Sequence, residues 1–69
     1  MKISNTLFQE IFDVAKKKAL TESDSSPNRA AFIIMDVIEE YRKENQEIDL
    51  EVDNLIFERF FNPPYEAFP

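Results

Sequence analysis

Carboxylate side chains are the main candidates for chemistry in this chain. They cluster as Glu39 with Glu40 and as the alternating set Asp49, Glu51 and Asp53. General acid–base catalysis needs such groups in a cleft that shifts their pKa values, and a chain of 69 residues has little volume for a cleft. Nucleophilic catalysis lacks its usual base and thiol, because the chain contains no His and no Cys. We therefore expect no enzymatic activity.

The alternating carboxylates also suggest the oxygen ligands of a calcium loop. An EF-hand requires a central Gly and a bidentate Glu at its twelfth position. This chain has no Gly, and the twelfth position counted from Asp49 is Phe60. Zinc, haem and iron–sulfur sites lose their usual ligands without His and Cys. We predict no metal site and no cofactor.

A short motif near the C-terminus, Asn62-Pro63-Pro64-Tyr65, resembles two known sequences. One is the catalytic tetrapeptide of amino-group DNA methyltransferases, which implies a large α/β domain with a Gly-rich cofactor loop. A chain of this length without Gly has no room for either feature. The other is the Asn-Pro-x-Tyr peptide of phosphotyrosine-binding-type adaptor domains, which implies a flexible tail on a membrane protein. We interpret the motif as a proline stop that ends a helix.

The elements that position these residues are predicted to be helices. Tight hairpins depend on Gly, which is absent, and three segments carry apolar residues at spacings of three and four. We predict an all-α fold, a single three-helix domain over 1–69 with an extended Pro/aromatic tail. The helices are expected at about 4–21, 27–45 and 49–61, and the tail at 62–69.

Helix-start signals and apolar stripes support these bounds. Ser4 or Thr6 can cap the first helix, Ser26 with Pro27 the second, and Asp49 the third. The alternation over 48–53 would also suit a strand, but no second strand is evident to pair with it. The predicted core stripes are Leu7, Phe8, Ile11, Phe12, Ala15, Ala19 and Leu20; Ala30, Ile34, Val37, Ile38 and Tyr41; and Val52, Leu55, Ile56, Arg59 and Phe60.

The net charge of −6 restricts the partners. It argues against direct binding to nucleic acid and to anionic membranes, which carry the same sign. The basic cluster Lys16–Lys18 is interpreted as a complement to the first helix's dipole. No apolar run is long enough to span a bilayer or to form a signal peptide, so we expect a cytoplasmic protein.

Aromatic residues are crowded toward the C-terminus. Five of the nine lie within residues 57–68: Phe57, Phe60, Phe61, Tyr65 and Phe68. Either the tail packs on its own domain, or these rings form an exposed interface; a symmetric dimer would satisfy both. We expect a protein–protein interaction module that binds another protein or itself, with self-association through helix 3 and the tail favoured. Small acidic proteins of this kind often serve as regulators, inhibitors or accessory factors of bacteria and their phages.

The alternative is an acidic mimic of nucleic acid that inhibits a DNA- or RNA-binding protein. Its surface would be made of carboxylates that surround the second interhelical loop. These residues are Glu39, Glu40, Glu44, Glu47, Asp49, Glu51 and Asp53.

Overall fold

Three α-helices make up the computed structural model, which describes residues 3–61. They are α1 (Asn5–Glu22), α2 (Pro27–Glu44) and α3 (Leu50–Phe61), and this part of the chain contains no strand. The predicted all-α, three-helix fold is confirmed, and each helix end lies within one residue of its expected position. The predicted tail lies outside the described residues.

Each helix begins at a side chain that accepts a hydrogen bond from a backbone N–H of the first turn. The first helix uses Ser4 rather than Thr6. Such caps each stabilise a helix by about 1 kcal/mol. The bonds are Leu7 N–H to Ser4 Oγ (3.1 Å), Arg29 N–H to Ser26 Oγ (3.3 Å) and Glu51 N–H to Asp49 Oδ1 (3.1 Å).

The core lies where the three helices meet. α1 and α2 form an antiparallel hairpin across a four-residue connection, and α3 packs against both. Most predicted stripe residues are buried, but Leu20 and Leu55 are 43% and 38% exposed and Arg59 is also exposed. Those three predictions were wrong, because neighbouring helices cover a narrower sector than the apolar pattern suggests. The buried apolar residues are Ile3, Phe8, Ile11, Phe12, Ala15, Ala19, Ala30, Ile34, Val37, Ile38, Ile48, Val52, Ile56 and Phe60.

Segment 48–53 is helical from Leu50 onward. Ile48 and Val52 are buried, whereas Leu50 between them is 72% exposed. A strand would place all three side chains on one face, and a spacing of four places only Ile48 and Val52 together. The helical prediction for this segment is therefore confirmed.

The position of Lys16–Lys18 differs from the prediction. α1 continues to Glu22, so its last turn contains no basic residue. Because the helix dipole acts within the last turn, these lysines do not complement it. Instead, Lys16 Nζ lies 6.0 Å from the centre of the Phe12 ring.

The connection between α1 and α2 holds two non-glycine residues in the left-handed region. Asp24 has φ 53° and Ser25 has φ 64°, a conformation that costs about 1–2 kcal/mol for an L-residue. Ser23 is fully buried beside them, and its Oγ has no hydrogen-bond partner within the described part of the chain. The backbone remains satisfied, since Ser23 N–H donates to Ala19 O at 3.0 Å.

Candidate interaction surface

Arg42 of α2 fixes the position of α3. Its Nε donates to Ile48 O at 2.8 Å, and its two Nη atoms contact Asp49 O, the Asp53 carboxylate and the Glu39 carboxylate. Burial lowers the pKa of Arg42, but the bond and charge of Asp53 and the charge of Glu39 outweigh it and raise that pKa overall. The guanidinium therefore stays charged while it ties α2 to the start of α3.

Apolar side chains that are not fully buried lie beyond this contact on both helices. Met35 lies two turns before Arg42 on α2, and Phe57 and Phe61 lie four and eight residues after Asp53 on α3. The spacing of four places Phe57 and Phe61 on one side of α3.

Aromatic rings dominate the α3 stripe. Phe57 and Phe61 are half-buried and nearly parallel, with ring centres 6.1 Å apart and planes inclined by 19°. Phe61 also meets the buried ring of Phe60 edge-on at 4.9 Å. The pair is therefore anchored to the core on one side and open to solvent on the other.

Exposed apolar side chains extend this surface. Leu50 is 72% exposed, Phe32 67% and Met35 45%. Helical spacing places Phe32, three residues before Met35, near Met35 on α2, and it places Leu50, seven residues before Phe57, on the side of α3 that carries Phe57. We name the set the α2–α3 apolar face: Phe32, Met35, Leu50, Phe57 and Phe61.

The predicted aromatic interface only partly coincides with this face. Phe57 and Phe61 belong to it, while Tyr65 and Phe68 lie outside the described residues. Phe60 is only 2% exposed, so it is a core residue and not part of an exposed surface. Its spacing of four from Ile56 and of eight from Val52 already indicated a core position.

Phe32 and Met35 were not predicted as interface residues. Both lie off the core stripe of α2, so their positions on the helix could have identified them. Leu50 was likewise not predicted, although its position off the core stripe of α3 could have identified it.

The predicted acidic surface is partly neutralised by pairing within the chain. Glu39 and Asp53 pair with Arg42, and Glu40 Oε1 lies 3.3 Å from Lys43 Nζ. Asp49 caps α3. Glu44, Glu47 and Glu51 are exposed around the α2–α3 loop.

Polar and charged side chains also join α1 to α3 and to α2. Arg59 Cζ of α3 lies 5.5 Å from the ring centres of both Phe8 and Phe12 of α1, in the range of cation–π attraction. The Tyr41 hydroxyl donates to Glu10 Oε2 at 2.8 Å. That bond, together with burial and the charges of Glu10 and Glu44, raises the pKa of Tyr41. These contacts join the helices to one another.

No protein-family model, curated protein or solved structure matches the chain. Within residues 3–61, no helix has the length and apolarity needed to cross a membrane. The same residues contain no group of three or more acidic side chains placed to hold a metal ion.

Proposed function

We propose that the protein is a small protein–protein interaction module, a regulator or accessory factor that acts by binding through the α2–α3 apolar face. The observation that carries this proposal is the exposure of large apolar side chains on both helices, Phe32 at 67% and Leu50 at 72%, together with the half-buried pair Phe57 and Phe61. Contiguous exposed apolar surface typically marks an interface, and aromatic side chains are enriched among the residues that dominate binding energy. The proposed location is the cytoplasm, where proteins rarely depend on disulfides.

The acidic-mimic alternative has weaker support. Its carboxylates Glu39, Glu40 and Asp53 are paired with Arg42 or Lys43. A mimic presents its charges outward to a basic groove, and these pairs reduce that field. The apolar face therefore supports an interaction module better than it supports a mimic.

Site-specific photocrosslinking tests the interaction module. A benzophenone amino acid replaces Phe32 in the full 69-residue chain, which is expressed in its native host and irradiated. The matched control places the same group at Leu20, which is 43% exposed on α1 and outside the apolar face.

A discrete protein adduct from position 32 that is absent from position 20 supports the proposal. An adduct twice the mass of the chain indicates self-association, the form predicted from the sequence. The absence of any discrete adduct at position 32, or the same adducts at both positions, contradicts the proposal.

A further inference from the structure

An open groove of about 610 Å³ runs between α1 and α2. No α3 residue is among the described residues that line it. Pockets for small molecules bury most of the ligand's surface, and an open groove does not, so a protein surface fits it better. We name it the α1–α2 groove, and its main lining residues are Val14 and Lys18 of α1 and Asp36, Val37, Glu40 and Lys43 of α2.

A hydrogen bond fixes the register of the two helices along this groove. The Tyr41 hydroxyl donates to Glu10 Oε2 at 2.8 Å. Because α1 and α2 are antiparallel, Val14, four residues after Glu10, is about level with Val37, four residues before Tyr41. Val14 is 41% exposed and Val37 is buried. The centre of the groove is therefore apolar.

The unpaired charges of the groove differ in sign between the two helices. Lys18 on α1 and Asp36 on α2 are both exposed, and neither makes an ion pair within residues 3–61. The groove thus offers a positive charge along one side and a negative charge along the other. Its other charged side chains are engaged inside the chain, Lys43 with Glu40 and Glu39 with Arg42.

This arrangement makes the groove complementary to itself. A two-fold axis along the groove places α1 of one copy over α2 of another. Val14 of each copy then lies over Val37 of the other, since the two are level. Lys18, one turn further along α1, comes within one turn of Asp36 of the other copy. The same two contacts therefore form twice.

We propose that the protein forms a symmetric homodimer in which the α1–α2 grooves of two copies face each other. Lys18 of each copy pairs with Asp36 of the other, on either side of the apolar contact between Val14 and Val37. The product is an antiparallel four-helix bundle. This inference goes beyond the proposed function, because it uses a different surface from the α2–α3 apolar face.

The size of this surface suits a weak dimer. α1 and α2 have 18 residues each, which makes them about 27 Å long and about 10 Å wide. Side by side they offer about 500 Å² per copy, near the lower limit for specific interfaces. Leu7 and Ile33 are half-buried and add apolar area, since spacings of seven and four place them on the sides of Val14 and Val37. We expect a dissociation constant between about 1 μM and about 1 mM.

Other partners fit the groove less well. A strongly basic partner meets Lys18 and a strongly acidic one meets Asp36, and like charges that face each other disfavour association. The net charge of −6 on each copy opposes dimerisation. That repulsion is largely screened beyond about 8 Å at physiological salt, whereas the contacts across the groove are closer.

Exchange of the two charges tests the dimer. Sedimentation velocity of the full-length protein, from about 10 μM to about 1 mM, measures its dissociation constant. The variants are Lys18→Glu, Asp36→Lys and the double variant that combines them. Lys16→Glu is the matched control, because Lys16 lies over Phe12 and two residues from Lys18, on another side of α1. Circular dichroism verifies that each variant stays helical.

We expect each single reversal to weaken the dimer by more than about tenfold, because symmetry places like charges together twice. The double variant should return to within about threefold of the wild type, since it restores opposite charges in exchanged positions. Lys16→Glu should change the dissociation constant by less than about threefold.

Several results would overturn the inference. One is a wild type that stays monomeric over the whole concentration range. Others are single reversals that leave the dimer intact, a double variant as weak as the single reversals, and a control that weakens the dimer as much as Lys18→Glu.

Phe32→Ala separates this inference from the proposed function. It should leave the groove dimer unchanged, because Phe32 is not among the residues that line the groove. A dimer that Phe32→Ala dissociates uses the α2–α3 apolar face, which overturns the groove dimer and supports the interaction module. Absence of crosslinks from position 32 contradicts the interaction module and leaves the groove dimer standing.

Discussion

Arg42 of α2 and Asp53 of α3 form an ion pair that holds the start of α3 against the end of α2. Their side chains are only 23% and 19% exposed, and the same guanidinium also binds two backbone carbonyls of the connecting segment. The pair thus sets the register of the two helices whose outer stripes form the apolar face.

Removal of this contact should destabilise the protein. We expect Arg42→Ala to lower the free energy of unfolding by about 2 kcal/mol, because several charge-assisted hydrogen bonds are lost and Asp53 remains partly buried without its partner. Urea denaturation measures the loss. Lys43→Ala is the matched control, since its pair with Glu40 is more than 70% exposed on both sides and should contribute less than about 1 kcal/mol. Equal losses would contradict the role given to Arg42.

The left-handed backbone at Ser25 predicts a stabilising substitution. Ser25→Gly should raise the free energy of unfolding by about 1 kcal/mol, because Gly adopts φ 64° without the steric cost that Ser incurs. Thermal or urea unfolding measures the gain. Ser26→Ala, one residue later, should have the opposite effect and cost about 1 kcal/mol, since Ser26 caps α2. A loss from Ser25→Gly would refute this account of the loop.

The buried hydroxyl of Ser23 predicts another position at which a substitution should not destabilise the protein. A buried polar group without a partner costs about 1–3 kcal/mol, so we expect Ser23→Ala to leave stability unchanged or to increase it by about 1 kcal/mol. The measurement is the urea midpoint at constant m-value. Destabilisation by more than about 1 kcal/mol would mean that Ser23 Oγ makes a stabilising hydrogen bond.

Stability at alkaline pH should depend on Tyr41. The hydrogen bond to Glu10, with burial and nearby negative charge, raises the pKa of Tyr41 in the folded protein, so the folded state holds this proton more tightly than the unfolded chain. Stability from this group is therefore complete below the unfolded pKa of about 10 and falls as pH rises through the higher folded pKa.

Tyr41→Phe isolates that contribution. Urea midpoints of wild type and variant should converge as pH is raised from 9 to above 11, because only the wild type loses the proton of residue 41. A wild-type minus variant difference that stays constant with pH would contradict the raised pKa.

Much of the fold follows from local sequence signals. The caps at Ser26 and Asp49 and the spacing of apolar residues place the helix ends within one residue of those observed. Periodicity also shows which side of each helix is apolar. It does not show how far a neighbour covers that side, which depends on the relative lengths and register of the helices.

The exposure of apolar residues is harder to predict, because it depends on how far neighbouring helices cover each apolar side. α3 has 12 residues and α2 has 18, so α3 is too short to cover the whole length of α2, and Phe32 is 67% exposed. Phe60 and Phe61 are adjacent in sequence, yet one is buried and the other is only partly buried. Aromatic composition alone cannot separate them.

Segment 48–53 offers the sharpest test of helical register. Ile48 is 2% exposed and Leu50 is 72% exposed, although both occupy equivalent places in an alternating pattern. We expect Ile48→Val to cost about 1 kcal/mol, as is usual for the loss of one buried methyl group. Leu50→Ala should change stability by less than about 0.5 kcal/mol even though it removes more atoms. Urea denaturation of the two variants measures both effects. A larger loss from Leu50→Ala than from Ile48→Val would show that Leu50 is buried in solution, either by a different local structure or by a second chain on the α2–α3 apolar face. Dilution of the protein distinguishes these two cases, because only contact with a second chain depends on concentration.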